Sequence, residues 1–249
     1  MITQTFDRET PEIINPNTFV AAVPGFPKVA IVSFGPRFID KLLELYDTQE
    51  LCILYACGPH PVYHVQFEGT DIAVYKTSLG GPATVGLQEE IYAKGAEKIL
   101  YFGSCGVLDK TLEEMTFILP TAAYRDEGTS YHYASASEFI EVPTAPRMAE
   151  IFNELNLPHH CGKTWTTDAI YRETRGNMEK RKATGCIVVE MECASIMAAA
   201  QFRNKQAYQF LYAADNLDAT EWDARTLGNF PTDKTEKILR VALEVAKRI

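Results

Sequence analysis

Two carboxylates flank a methionine at positions 190–192, between two apolar segments. Val188-Val189 predicts the end of a buried strand, and residues 193–198 predict an apolar helix. Negative charge is favoured at a helix N-terminus, so capping is one interpretation. Two carboxylates within three residues exceed what capping requires, and a carboxylate can accept hydrogen bonds from both hydroxyls of a ribose. We therefore favour a sugar-binding role for Glu190-Met191-Glu192 over capping.

Asp215 follows the apolar run 209–213 and precedes the polar loop 216–225. Burial disfavours the charged form of a carboxyl group, so the pKa of Asp215 should be raised at such a strand end. A raised pKa suits a general acid, which must hold a proton near neutral pH and give it to a leaving group. An aspartate turn or cap formed with Asn216 explains the local sequence equally well.

Small residues follow two other predicted strands. Gly103-Ser104-Cys105-Gly106 comes after the apolar run 99–102, and Gly80-Gly81-Pro82 comes after Thr77-Ser78. Backbone amides and the Ser104 hydroxyl could bind an oxyanion in such a loop. Taken alone, however, the first segment is explained as well by a tight turn that needs glycine, and the second by the start of a helix.

The other reactive side chains favour no further chemistry. His159 and His160 fall in a proline-containing segment that predicts a solvated loop, whereas His132 lies in an aromatic loop that could wall a pocket. No nucleophile elbow, dinucleotide fingerprint or phosphate-binding loop of the Walker type occurs. The six cysteines form no C-x-x-C pair, and four of them (Cys52, Cys105, Cys186 and Cys193) lie in apolar segments, which predicts reduced core residues and no metal site.

The elements that must position these residues alternate along the chain. Strands are predicted at 29–34, 52–56, 63–67, 72–77, 98–102, 116–123, 162–167, 186–189 and 208–213, and helices at 38–46, 82–94, 143–155, 177–184, 191–204 and 232–248. This alternation predicts an α/β fold with a largely parallel or mixed sheet covered on both faces. No repeat or linker interrupts it, so residues 1–249 are predicted to form a single domain. Ligands of such sheets bind beyond the carboxyl ends of the strands, where the candidate residues lie.

Composition excludes several classes of partner. Of the 249 residues 46% are hydrophobic and 23% charged, as in an ordinary globular protein, and the net charge of −9 argues against a nucleic acid polymer. Pro24, Pro27 and Lys28 interrupt the apolar stretch 19–34, so it predicts no membrane span. The N-terminus lacks the pattern of a signal peptide. We therefore predict a cytoplasmic protein.

Together, the strand-end segments resemble the nucleoside phosphorylase family, which includes hexameric purine nucleoside phosphorylases and uridine phosphorylase. The resemblance runs from about Val29 to the C-terminal helix. Its most specific pieces are Gly103 to Gly106, Arg125 to Tyr133, Thr166-Thr167-Asp168 with Tyr171, and Val189 to Glu192. It implies the phosphorylase/hydrolase-like α/β fold, in which a twisted mixed sheet forms a distorted barrel flanked by helices.

The resemblance also implies a role for each candidate residue. Glu192 would bind the ribose hydroxyls, Met191 would pack against the sugar, and Glu190 would lie near the base. Asp215 would protonate a purine base, Ile170 takes the position of an aromatic that stacks on the base, and Arg175 corresponds to an arginine that recognises uracil. The phosphate-binding residues would be Arg37, Ser104, Gly35 and Gly80. Inorganic phosphate is the implied co-substrate, with no metal and no organic cofactor, and the implied assembly is a homo-oligomer built from dimers.

Three positions depart from the family pattern. Tyr101 stands where an arginine usually holds phosphate. His60 and His64 lie in the hairpin from which a neighbouring subunit usually donates another arginine, and they are the candidates for that contact between subunits. The usual Gly-Asp-Pro-x-Arg loop is reduced to Ser33-Phe34-Gly35-Pro36-Arg37. We expect weaker phosphate binding, because a phenol or imidazole replaces a permanently charged, bidentate guanidinium.

The predicted function is reversible phosphorolysis of a nucleoside to free base and ribose 1-phosphate. Asp215 favours a purine, whereas Arg175 keeps uridine phosphorylase as an alternative. A nucleosidase of the same fold would carry an acid near the end of the first strand, where this chain has Arg37. A catalytically silent nucleoside-binding protein is the alternative from another class, and it would not need the acid Asp215.

Overall fold

The computed structural model describes residues 1–228 and 230–249. Its strands are β1 (Val29–Ser33), β2 (Thr48–Leu54), β3 (His60–Phe67), β4 (Thr70–Lys76), β5 (Lys98–Val107), β6 (Phe117–Asp126), β7 (Phe139–Glu141), β8 (His159–Thr167), β9 (Cys186–Glu190) and β10 (Gln206–Asn216). Its helices are α1 (Pro16–Phe19), α2 (Pro36–Leu45), α3 (Gly81–Lys94), α4 (Ala145–Glu154), α5 (Arg175–Ala183), α6 (Cys193–Phe202) and α7 (Thr232–Ala246). Short 3-10 turns occur at Ile2–Gln4, Thr129–His132 and Ile170–Arg172.

All the strands belong to one mixed sheet, in which five strands close into a barrel. The order is β10-β6-β8-β9-β5-β1-β4-β3-β2, with β7 paired to β6. Because β10 pairs with β5 as well as with β6, the strands β5, β10, β6, β8 and β9 form a closed ring. The predicted α/β fold with a mixed sheet forming a distorted barrel is therefore confirmed.

Helices cover both faces of the sheet over separate apolar clusters. One cluster joins the sheet to α3 and α6 through buried residues such as Tyr75, Ile91 and Ile196. The other joins the opposite face to α2, α4 and α7 through residues such as Leu42 and Ile238. This two-sided burial explains why the strands were detectable as short apolar runs. Within the described residues, no helix is both long and apolar enough to cross a membrane.

Several strands extend beyond their predicted bounds, and this corrects two local interpretations. Gly103-Ser104-Cys105-Gly106 lies inside β5 rather than in a loop, because β10 pairs with it along that length. His159 and His160 begin β8 instead of lying in a loop, where they pair in parallel with β6. Strand β7 was not predicted.

The cysteines largely follow the prediction. Cys105, Cys186 and Cys193 are buried, whereas Cys52 is only half-buried. All six thiols are free in the described chain. Residues 1–228 and 230–249 also contain no group of three or more His, Cys, Asp or Glu side chains arranged to hold a metal ion.

Candidate active site

A cavity of about 680 Å³ opens at the carboxyl ends of β5, β9 and β10. Seven of the predicted site residues line it: Ser104, Ile170, Arg175, Glu190, Met191, Glu192 and Asp215. Its wall also includes Phe34, Leu79, Tyr171, Glu173, Met178, Leu217, Trp222 and Leu227. Arg37, Gly35, Gly80, His60 and His64 are not part of this lining. The structure thus brings together the predicted sugar and base groups, while the predicted phosphate groups lie largely outside the wall.

Glu190 ends β9 and is buried. Its Oε1 accepts hydrogen bonds from the Thr166 hydroxyl at 2.6 Å and the Thr164 hydroxyl at 3.3 Å. Its Oε2 accepts from the backbone N–H groups of Glu192 at 2.7 Å and Cys193 at 2.6 Å. These four donors occupy the acceptor positions of a carboxylate. The geometry therefore favours the capping interpretation for Glu190, since little acceptor capacity remains for a base.

Glu192 is buried at the start of α6 and lines the cavity. Its Oε1 accepts a hydrogen bond of 2.6 Å from the backbone N–H of Gly80. Burial, followed by the charge of Glu190, raises the pKa of the Glu192 carboxyl. Gly80 has a φ of 90°, a conformation that favours glycine, and this turn aims its N–H at the carboxylate. Gly80 thus positions the predicted sugar-binding residue.

Asp215 lies at an irregularity of β10, where the pairing with β5 shifts between Ala213 and Asp215. The residue is 8% exposed, and its Oδ2 accepts a hydrogen bond of 2.8 Å from the Trp222 indole N–H. A side chain at Gly106 would meet Asp215 Oδ1, so the glycine leaves room for this carboxyl. Burial raises the pKa of Asp215, although the Trp222 N–H and Arg225 act in the opposite direction. A buried carboxyl facing a cavity can act as a proton donor.

Glu173 is a second carboxyl in the wall of the cavity, and sequence reasoning missed it. It follows the 3-10 turn Ile170–Arg172 and is half-buried. Burial, followed by the charge of Asp215, raises its pKa to about 7. In the sequence, Glu173 is a single acid between Arg172 and Arg175. This pattern is more typical of a solvated turn than of a cavity wall.

Arg175 begins α5, and its guanidinium contacts backbone on the far side of the cavity. The Nη2 group donates hydrogen bonds to the carbonyls of Ala219 at 2.8 Å and Thr220 at 3.2 Å. Both carbonyls belong to the loop that follows Asp215 and carries Trp222. Arg175 therefore ties the two walls of the cavity together, which leaves fewer of its donors for a base.

The comparisons with known proteins agree with this geometry. The sequence profile of the phosphorylase superfamily matches residues 28–249. The chain belongs to the phosphorylase superfamily. A guanosine phosphorylase of Halorubrum lacusprofundi is 26% identical over 223 residues, which span 87% of this chain and 91% of that protein. A uridine phosphorylase of Escherichia coli is 24% identical over 244 residues, spanning 89% of this chain and 92% of that protein.

A solved structure supports the fold. The purine nucleoside phosphorylase of Toxoplasma gondii, determined in complex with immucillin-H, superimposes with a TM-score of 0.75 at 20% identity and covers 89% of this chain and 90% of that one. The predicted family and its fold are therefore confirmed. The roles given to single residues remain predictions.

Within this phosphorylase fold, Tyr101 has no access to the site. Its ring is completely buried in the cluster that contains Tyr75, and burial raises its pKa well above the usual range. Ser104 is exposed and lines the cavity, and its contact with an anion remains a prediction. Arg37 is exposed in the first turn of α2, with its guanidinium 4.4 Å from the centre of the Phe230 ring. Gly35 precedes that helix as its N-cap.

The two hairpin histidines of this phosphorylase-superfamily chain differ in what they can reach. His60 is buried, with Nδ1 2.7 Å from the Lys76 carbonyl and Nε2 3.3 Å from Cys57 Sγ. Both of its nitrogens are thus engaged within the chain, which argues against its predicted contact with a neighbouring subunit. His64 is partly exposed and lies 2.8 Å from Asp71 Oδ1. His132 lines a second cavity, of about 610 Å³, together with residues of the N-terminal segment.

Proposed function

We propose that this protein catalyses phosphorolysis of a purine nucleoside to the free base and ribose 1-phosphate. The phosphorylase superfamily and its relatives, among them guanosine, uridine and purine nucleoside phosphorylases, support nucleoside phosphorolysis. One observation favours a purine over uridine. Asp215 is a buried carboxyl in the wall of the cavity, and its pKa is raised.

Each step of the proposed reaction has a group to support it. As the glycosidic bond breaks, its electron pair passes to the base, and Asp215 protonates the imidazole nitrogen so that a neutral purine leaves. The sugar then carries oxocarbenium-like positive charge, and a phosphate oxygen bonds to its anomeric carbon. Glu192 accepts hydrogen bonds from the ribose hydroxyls, and Met191 packs against the sugar. Inorganic phosphate is the co-substrate, and the proposal needs no metal or organic cofactor.

Phosphate is assigned to the part of the cavity nearest Ser104. The Ser104 hydroxyl lines this part of the cavity and is the first proposed contact. The Arg37 guanidinium and the backbone at Gly35 lie outside the cavity lining and are proposed to contact the phosphate from beyond it. Tyr101 cannot take the place of an arginine there, because its ring is buried elsewhere. We therefore expect weak binding of phosphate by a single chain, and a neighbouring subunit in a cytoplasmic homo-oligomer is proposed to complete the site.

The decisive experiment compares substrates and one substitution. We expect inosine or guanosine to be turned over better than uridine in phosphate buffer. Asp215→Asn should lower turnover of these purine nucleosides by about 10²-fold, the size of effect expected for a lost general acid. Turnover of 7-methylguanosine should fall far less, since its base is already cationic and needs no proton. Glu221→Gln, which alters an exposed acid of the same loop, is the matched control.

Other outcomes would select the alternatives. Uridine as the best substrate, with its rate intact in Asp215→Asn, would make both the purine assignment and the role of Asp215 wrong. Release of the base at the same rate without phosphate as with it would indicate a nucleosidase. Calorimetric binding of nucleosides, without turnover when phosphate is present, would indicate a binding protein.

A further inference from the structure

Trp222 stands beside the proposed acid, in a loop that folds back over the cavity. It lines the cavity, and its side chain remains 61% exposed. The backbone of the loop is fixed at its ends, because Asn216 and Asp223 exchange hydrogen bonds of 2.8 and 3.2 Å. Arg175 holds the carbonyls of Ala219 and Thr220 from the other wall. The indole is therefore presented to the cavity by a supported loop.

Trp222 is the large flat side chain of the cavity wall that lies beside the proposed acid. Ile170 is aliphatic and 45% exposed at the cavity wall. Phe34 packs against Gly103 of β5, next to Ser104, and Tyr171 is almost fully exposed, at 95%. Trp222 differs from both, because it contacts the Asp215 carboxyl directly. An exposed indole next to the proton donor is placed to cover a flat base that receives the proton.

The hydrogen bond between these residues has a defined direction. An indole N–H can only donate, so Asp215 Oδ2 must be the acceptor in this 2.8 Å contact. When Asp215 is protonated, its proton is then held on Oδ1. The bond thus selects the oxygen that delivers the proton and restrains the rotation of the carboxyl group. It also opposes the rise in the pKa of Asp215 that burial causes.

We propose, on the basis of the nucleoside phosphorolysis argued above, that Trp222 has two tasks in the base site. Its exposed indole face packs on the purine. Its Nε1–H positions Asp215 so that Oδ1 presents the proton to the imidazole nitrogen. Trp222 is a base-contact residue through its ring and a positioning residue through its N–H.

The two tasks can be separated by substitution. Trp222→Phe keeps an aromatic face and removes the N–H, so turnover of inosine should fall about 10-fold at nearly unchanged KM, while 7-methylguanosine is hardly affected. The alkaline limb of its pH profile should move to higher pH, because Asp215 loses a donor that favours its charged form. Trp222→Leu removes both features, so KM should also rise about 10-fold for both nucleosides.

Fluorescence gives a readout that does not depend on turnover. The chain has two tryptophans, Trp165 and Trp222. Trp165 is 1% exposed and its indole N–H donates a hydrogen bond to Asp126, so a ligand in the cavity should not change its emission. Addition of guanosine or hypoxanthine should therefore quench emission from Trp222 in the wild type and in Trp165→Phe, and the change should be absent in Trp222→Phe. Circular dichroism checks that each variant is folded, and the comparison of wild type with Trp222→Phe suffices if Trp165→Phe does not fold.

Failure of this inference is distinct from failure of the proposed function. A wild-type protein that turns over no nucleoside would overturn the proposed function and, with it, the basis of this inference. An active wild type whose Trp222→Phe and Trp222→Leu variants keep the same kinetics and pH profile would overturn the role of Trp222 alone. Nucleoside binding with unchanged Trp222 emission would also overturn the base contact.

Discussion

The chemistry of individual residues in the cavity depends on burial. Burial is the largest cause that raises the pKa of Glu173, Glu192 and Asp215. A carboxyl with a raised pKa binds its proton more tightly in the folded than in the unfolded chain. Its contribution to stability is therefore present at low pH and is lost as the pH rises towards the pKa of the folded state. Glu192 and Asp215, which are proposed to act on substrate, and Glu173 beside them thus destabilise the empty protein at neutral pH.

Glu173 allows a direct test of this relation. Its pKa rises from 4.5 to about 7 on folding, so the free energy of unfolding should decrease between about pH 4.5 and pH 7. Glu173→Gln removes the titration, and we expect the variant to be more stable than the wild type by about 1–2 kcal/mol at pH 8, after allowance for its partial exposure. The difference should vanish near pH 4. Urea unfolding at both pH values measures it.

Glu179→Gln is the control for that comparison, because Glu179 is an exposed acid on α5. Its effect on the free energy of unfolding should be small, because the side chain is solvated in the folded chain. A Glu173→Gln variant that is less stable than the wild type at pH 8, or equally stabilised at both pH values, would contradict the assignment of a raised pKa to Glu173.

At the scale of elements, the sequence was informative about the centre of each strand and less so about its ends. The apolar runs of β1, β4 and β9 were correctly located, since buried strands are visible as local hydrophobic patterns. The ends of β5 and β10 were not located correctly. Gly106 and Asp215 are held in strand conformation because they pair with each other between these neighbouring strands of the barrel. Such pairing depends on residues more than 100 positions apart, which no local pattern records.

The same limit explains which site residues were found. Asp215 and Glu192 could be located at the cavity because each lies within three residues of the end of an apolar run, where ligands of open sheets bind. Trp222 and Glu173 lie in irregular segments that reach the cavity only when their loops fold back, so their neighbours in sequence gave no sign of it. Glu190 lines the cavity, but its carboxylate is occupied by donors that include the Thr164 and Thr166 hydroxyls of another strand, which its own sequence neighbours do not indicate.

The junction of α3 and α6 allows a test of how closely two elements pack. A side chain on Gly81 would collide with the Ser195 hydroxyl, which is itself bonded to the buried Glu127 carboxylate at 2.5 Å. Gly81→Ala should therefore lower the free energy of unfolding by about 1–3 kcal/mol, as overpacking does. Gly176 also lies in the first turn of a helix, but nothing lies within 4 Å of an added side chain there.

Gly176→Ala should consequently be neutral or stabilise the protein by up to about 1 kcal/mol, because alanine favours the helix. Thermal unfolding of the two variants under the same conditions tests the comparison. Equal stability of Gly81→Ala and wild type would show that α3 and α6 are not tightly packed at this point. A marked loss for Gly176→Ala would contradict the open surface at α5.

For the whole molecule, the charge balance bears on the phosphate co-substrate. The net charge of −9 repels an anion at long range, and four carboxyls line the cavity. Arg175 contributes a guanidinium to the cavity lining, but its Nη2 group donates hydrogen bonds to the backbone carbonyls of Ala219 and Thr220. A single chain therefore offers phosphate little beyond Ser104 and the exposed Arg37. This shortage is a physical reason to expect that a second chain contributes to the site.

The N-terminal segment is a candidate surface for that association. Ile13, Ile14 and Phe19 lie close together in the sequence and are 103%, 76% and 77% exposed, respectively. Exposed large apolar side chains are typical of surfaces that contact another protein, and a second copy of the chain is the partner that the expected homo-oligomer supplies.

We predict that light scattering at micromolar concentration gives at least the mass of a dimer, and that Ile13→Asp with Ile14→Asp lowers this mass. Leu43→Asp, at an exposed leucine of α2, is the control and should leave the mass unchanged. A monomeric wild type would contradict the expected oligomer, whereas a double variant that keeps the wild-type mass would place the interface elsewhere.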